Sequence, residues 1–144
     1  NRIAYKDKSL ITDLVKYFGG QAIVIGINII NSNSVYKIYE KNNHKDLIEH
    51  IIEIQNLGIG EIKINFVDRE GSKKGLDLGF AKKLLKHIRV SSVFEGGIGN
   101  LNQIEEAFNT KINAIGLGTM ITFNDYNLFK IKRYLIDKNF NVRI

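Results

Sequence analysis

The chain has 144 residues, 44% hydrophobic and 25% charged, which suits one globular domain; with no membrane-length apolar run and no signal-peptide core at residues 1–8, a cytoplasmic protein is expected. The absence of Cys excludes a disulfide framework, a thiol nucleophile and a thiolate metal site, and the three histidines, His44, His50 and His87, lack metal-ligand spacing. A net charge of +6 would fit an anionic partner, but lysines such as Lys82, Lys83 and Lys86 are spread along helix faces without an Arg-rich cluster or interleaved aromatics, which argues against nucleic acid.

Ser9 is a candidate cap for a first helix, whose apolar residues Leu10, Ile11, Leu14, Val15 and Phe18 follow helical spacing and which Gly19-Gly20 stops. Residues 21–28 form a continuous apolar run, the pattern of a strand buried on both faces, and predict a parallel sheet covered by helices. Residues 31–43 alternate in part, through Val35, Tyr36, Ile38 and Tyr39, and read as a short hairpin or excursion beyond the strand end. A second helix, from about Lys45 to Leu57, is expected to bury Leu47, Ile48, Ile51, Ile52 and Ile54 before Gly58-Ile59-Gly60. A strand over residues 61–68 follows, then Asp77 as cap of a helix through Leu78, Ala81, Leu84, Leu85 and Ile88.

Residues 91–100 are the most informative stretch. A short strand feeds three glycines, Gly96, Gly97 and Gly99, and Asn100 can cap a helix beginning near Leu101 with Ile104, Ala107 and Phe108 inward. Glycine lets the main chain approach an anion closely, so phosphate is one reading; a plain tight connection is the other. Residues 113–120 give a last strand ending in Gly118-Thr119, then a helix from about Asp125 with Leu128, Ile131 and Leu135 inward. Alternating strand and helix units call for a parallel α/β sheet, open or closed as a barrel. Glycine-bearing tips on two consecutive strands favour the barrel, because barrels commonly hold phosphate between the loops after their last two strands.

The pieces Ser9-Leu-Ile-Thr12, Phe18-Gly-Gly-Gln-Ala22, Gly58-Ile-Gly-Glu-Ile62, Asp68-Arg-Glu-Gly-Ser72, Glu95-Gly-Gly-Ile-Gly99, Glu106-Ala-Phe108 and Asn141-Val-Arg-Ile144, in this order and spacing, resemble the cyclase subunit of imidazole glycerol phosphate synthase. That family is a TIM-barrel, (βα)8, of histidine biosynthesis, about twice this length. Asn1 matches an Asn near the end of its fourth strand, so residues 1–144 are similar to the second half of the barrel, strands five to eight. Four βα units leave apolar edges, and the chain is therefore expected to be a fragment of a longer protein, the alternative being two halves that pair to close a barrel.

The resemblance implies a lyase-type reaction without a cofactor or metal. Ammonia from a glutaminase partner, bound as a heterodimer, passes along the barrel axis to a bis-phosphorylated formimino ribonucleotide; the products are imidazole glycerol phosphate and aminoimidazole-carboxamide ribotide. Gly96, Gly97, Gly118 and Thr119 would hold one phosphate, with Gly71 and Ser72 near the same end. The family's strand-five aspartate falls at Asn28, whose amide has no proton to exchange near neutral pH. Asp68 is then the nearest candidate acid or base with Glu70, the alternative for both being a loop salt bridge to Arg69 or Lys73. Glu61 matches a glutamate of the ring that gates ammonia entry, or is a solvated strand-start carboxylate. Two further readings stay open: a paralogous subunit delivering ammonia for amidination of a bacterial surface sugar, and a non-catalytic phosphate-binding or glutaminase-activating partner. His50 and His87 are expected to be helix residues without a chemical role.

Overall fold

The computed structural model describes residues 6–39, 46–122 and 126–143. Asn1, His44, the far end of the 31–43 excursion, the expected helix starts near Lys45 and Asp125, and Ile144 lie outside the described residues.

Helix α1 (Lys8–Phe18) is capped by Asp7 rather than the expected Ser9: Asp7 Oδ1 accepts from Leu10 N at 3.0 Å, and the Ser9 hydroxyl donates to the same oxygen at 2.6 Å. Ser9 thus lies inside the first turn and supports the cap. Gly19, at φ +82°, ends the helix as its sequence suggests, and a 3-10 turn (Gly20–Ala22) leads into β1 (Val24–Ser32). The first strand therefore starts later and runs further than residues 21–28. It turns back at Asn33-Ser34, both with positive φ, into β2 (Val35–Ile38), so the excursion is a β-hairpin.

Three βα repeats follow: α2 (Leu47–Gln55) leads to β3 (Glu61–Phe66) and a 3-10 turn (Val67–Arg69), α3 (Leu78–Leu85) to β4 (Ser91–Glu95), and α4 (Leu101–Asn109) to β5 (Ala114–Gly116). A short α5 (Thr119–Thr122) and α6 (Leu128–Asp137) complete the described elements. Asp77 and Asn100 cap α3 and α4 as their sequence positions suggest, accepting from Phe80 N and Gln103 N. The sheet order is β2-β1-β3-β4-β5, with β1, β3, β4 and β5 parallel and in chain order. Such a singly wound run is the arrangement of a barrel wall, each strand laying its helix on the same side.

The core lies between the sheet and those helices. Ile27, Ile29, Ile62, Ile64, Phe66 and Phe94 point into it and meet Ile51, Ile54, Ala81, Leu84, Ile104 and Ala107. Gln55 stitches α2 to the entry of β4, donating to His87 O at 2.9 Å and accepting from Arg89 N at 2.8 Å. His50 is buried on α2. Ile52, expected inward, is 41% exposed, and Leu128 is 52% exposed because α6 turns Ile131 and Leu135 to the core instead.

The expected burial of β1 on both faces is also corrected. Val24 is 51% exposed and Gly26 and Asn28 only half-buried, because among the described residues helices cover one face of the sheet alone. The other face carries Lys63, Asn65 and Glu95, a polar set at every second position that fits the inside of a barrel rather than a second helix layer.

Candidate functional site

The C-terminal ends of the parallel strands converge on a cavity of about 420 Å³, lined by Asn65, Glu70, Gly71, Glu95, Gly96, Gly97, Ile98, Gly116, Leu117, Gly118 and Thr119. That volume falls in the range of small-molecule pockets. Of the residues singled out from sequence, Gly71, Gly96, Gly97, Gly118 and Thr119 meet here. A glycine can line a cavity only with its backbone, so one rim is main chain.

The β4 tip is built around its glycines. Gly96 has φ +111° and a Cβ there would stand 2.5 Å from Phe66 O; Gly97 has φ +93° and its Cβ would stand 2.9 Å from both Arg69 O and Gly75 O. Gly75 N donates to Gly97 O at 2.8 Å, which pins the turn to the loop after β3. No larger residue fits either place without moving backbone. Gly118 differs, since a Cβ there meets nothing within 4 Å and would stand in open space.

The loop that embraces Gly97 is itself tied down. Arg69 donates to Gly75 O at 3.0 Å and pairs with Asp77 at 3.6 Å. Asp77 accepts from the Tyr36 hydroxyl at 2.9 Å, and Tyr36 stacks on Phe80 with its edge against Phe66. The hairpin is thereby latched to the same loop. Burial pushes the Tyr36 hydroxyl above its ordinary pKa; Asp77 adds to the shift and Arg69 opposes it.

The cavity's other side is polar. Asn65 Nδ2 donates to Glu70 Oε1 at 2.6 Å and to Asn28 Oδ1 at 3.3 Å, which connects Asn28 to the site through one side chain. Lys63 and Glu95 form an ion pair at 2.8 Å. Asn65 and Lys63 are not among the residues singled out from sequence; the polar alternation Glu61, Lys63, Asn65 along β3 is the signal for them.

Asp68 is exposed and turned to the hairpin, accepting from Asn31 N at 3.3 Å, and does not line this cavity. Ser72 Oγ accepts from Lys74 N and also stands outside the lining. Glu61 sits at the opposite end of β3, half-buried. Among the described residues no cluster of three or more His, Asp or Glu could hold a metal, and no helix is long and apolar enough to cross a membrane.

A family profile described as "histidine biosynthesis protein" matches residues 1–127. Similar curated proteins include the imidazole glycerol phosphate synthase subunit HisF of Chloroherpeton thalassium, 30% identical over all of this chain and 59% of the relative. The HisF subunits of Campylobacter jejuni and Methanosphaera stadtmanae are each 31% identical over all of this chain, covering 60% and 61% of those relatives. The chain thus spans about three-fifths of the length of the curated relatives it matches.

Proposed function

The chain belongs to the histidine biosynthesis protein family, and from that premise we propose that it supplies the phosphate-binding half of a barrel acting as the cyclase-type subunit of imidazole glycerol phosphate synthase. The observation that carries this reading is the glycine rim: Gly96, Gly97 and Gly118 bring bare backbone to one cavity at the ends of adjacent parallel strands. Backbone N–H groups hold a phosphate without titrating and without side-chain entropy cost. Gly118 and Thr119 close the cradle from β5, the Thr119 hydroxyl adding a donor.

On this reading the substrate is a bis-phosphorylated formimino ribonucleotide, and this half of the barrel takes one of its phosphates. Ammonia comes from a glutaminase subunit docked at the Glu61 end of the sheet. It crosses to the cavity along the polar inner face, past Lys63. Ring closure needs a group that gives and takes protons near neutral pH. Asn28 orients the substrate through its Asn65 contact but cannot exchange a proton, and Asp68 faces the hairpin, so Glu70, which lines the cavity, is left to act as acid or base.

Asn28 favours a second reading, in which the barrel binds a phosphorylated ligand and passes ammonia to a sugar-amidating partner, where a lost acid-base residue costs little. One experiment separates the two: ammonia-dependent turnover of the formimino ribonucleotide by the full-length protein, with Asn28 as found and as Asn28→Asp. The substitution is structurally mild, since an aspartate oxygen can keep the bond from Asn65. Turnover by the unaltered protein upholds the cyclase reading. Turnover that appears only with Asn28→Asp overturns it in favour of ammonia delivery.

A further inference from the structure

Residues 70–77, between the 3-10 turn after β3 and α3, form neither helix nor strand. Glu70 and Gly71 of this loop line the cavity, and the Arg69 and Gly75 carbonyls wall Gly97 in. Lys73 stands at φ +57°, a conformation that a non-glycine residue keeps only where its surroundings over-determine it. The loop's shape is therefore imposed from outside, and two side chains impose it. Arg69 Nη1 donates to Gly75 O at 3.0 Å, so the arginine joins the two carbonyls that flank Gly97, its own and that of Gly75. From α4, Gln103 uses both ends of its amide: Nε2 donates to Lys73 O at 3.0 Å, and Oε1 accepts from Gly99 N at 2.8 Å. The loop after β3 and the glycine turn after β4 are thus held together at Gly97 and again at Gly99.

Neither Arg69 nor Gln103 lines the cavity. We propose that they are positioning residues of the phosphate rim: they hold the backbone of Gly96 and Gly97 in its receiving shape, so that binding does not have to order the turn. This rests on the phosphate reading above and names the residues that set the shape of the rim. Asp77, 3.6 Å from the guanidinium, fixes it from its other side. A lysine at position 69 would keep the charge, but it has no planar fork with which to reach Gly75 O and Asp77 together.

Calorimetric titration of the full-length protein with inorganic phosphate tests it. Arg69→Lys keeps the positive charge and Gln103→Met is neutral for neutral, so neither changes the net charge near the rim. Each should weaken phosphate binding by about tenfold, what fixing roughly one backbone residue on binding costs. Hydrogen exchange at the Gly75 amide, which donates to Gly97 O, should quicken in both variants. Ile64→Val, which thins the core on the helix side of β3, should lower the urea midpoint and leave phosphate affinity as it was. Unchanged affinity in Arg69→Lys or in Gln103→Met, while the unaltered protein binds phosphate, overturns the role for that residue and leaves the rim standing. An equal loss in Ile64→Val overturns it for both, because affinity would then follow global stability. No phosphate binding by the unaltered protein up to millimolar concentration overturns the rim and this inference with it.

Discussion

Gly118→Asp probes the phosphate rim without disturbing the fold. A Cβ at this position meets no atom within 4 Å, so the new side chain enters open space at the lip of the cavity. At ~5 Å from a bound phosphate, a carboxylate repels each unit of its charge by about 3 kcal/mol at an effective dielectric of ~20. The lip is open to solvent, and screening reduces this to about 1–2 kcal/mol, a loss of roughly five- to thirtyfold in affinity. Titration of inorganic phosphate reads that loss, and thermal unfolding of the same samples shows that the fold is unchanged. Gly118→Ala separates crowding from charge, and Lys83→Ala, on the exposed side of α3, is the reference that should bind as the unaltered chain does. Gly97→Asp, the more obvious variant, is a poorer probe: φ +93° and two carbonyls at 2.9 Å make any side chain there strain the turn, so lost binding would not distinguish charge from misfolding. Unchanged phosphate affinity in Gly118→Asp with an unchanged melting temperature would refute the rim as an anion site.

Ile64→Ala, at a fully buried strand position, should lower unfolding free energy in urea by about 2–5 kcal/mol, whereas Ile52→Ala on the exposed side of α2 should cost less than about 1 kcal/mol. Tyr36→Phe should cost about 1 kcal/mol by removing the hydroxyl bond to Asp77. The raised pKa of Tyr36 means that folding favours its neutral form, so this contribution is intact below its ordinary value of 10.0 and fades as pH rises through the higher folded value. Urea midpoints followed from about pH 8 to 11 should therefore fall less steeply for Tyr36→Phe than for the unaltered chain. Ser34→Gly, at φ +65° in the hairpin turn, should stabilise by about 0.5–1 kcal/mol, read as a higher melting temperature.

Local chemistry made much of the fold legible. Asp77, Asn100 and Gly19 act within a turn of the chain, so a cap or stop read from sequence is also found in space. Ser9 misled because Asp7, two residues earlier, competes for the same amides with a stronger acceptor. Burial of Ile52 and Leu128 could not be told from spacing, which gives a stripe but not the rotation of the helix on the sheet. The turn at Gly96-Gly97 was legible as a turn because positive φ and backbone carbonyls within 3 Å of any Cβ demand glycine there, whatever the turn binds. Asn65 was not: a polar residue in a strand gains meaning only from the register that sets it beside Asn28 and Glu95. The direction of Asp68 likewise depends on the hairpin, which brings Asn31 N to its carboxylate.

The antiparallel pairing of β2 has a consequence for how the sheet can grow. β1 gives its whole length to β3 on one side up to Ile29, but on its other side β2 occupies only Ile29 to Ser32. Tyr39 N donates to Asn28 O at 2.8 Å and extends that pairing by one residue, so among the described residues four positions from Val24 to Ile27 keep an open edge there, a rail of roughly 13 Å at ~3.3 Å per residue. A further parallel strand laid along that rail would run into the hairpin just past Ile27. The hairpin works as an end stop, so an adjoining segment would be set in register by collision as well as by side-chain fit, with its last paired residue level with Ile27, Ile64, Phe94 and Ile115.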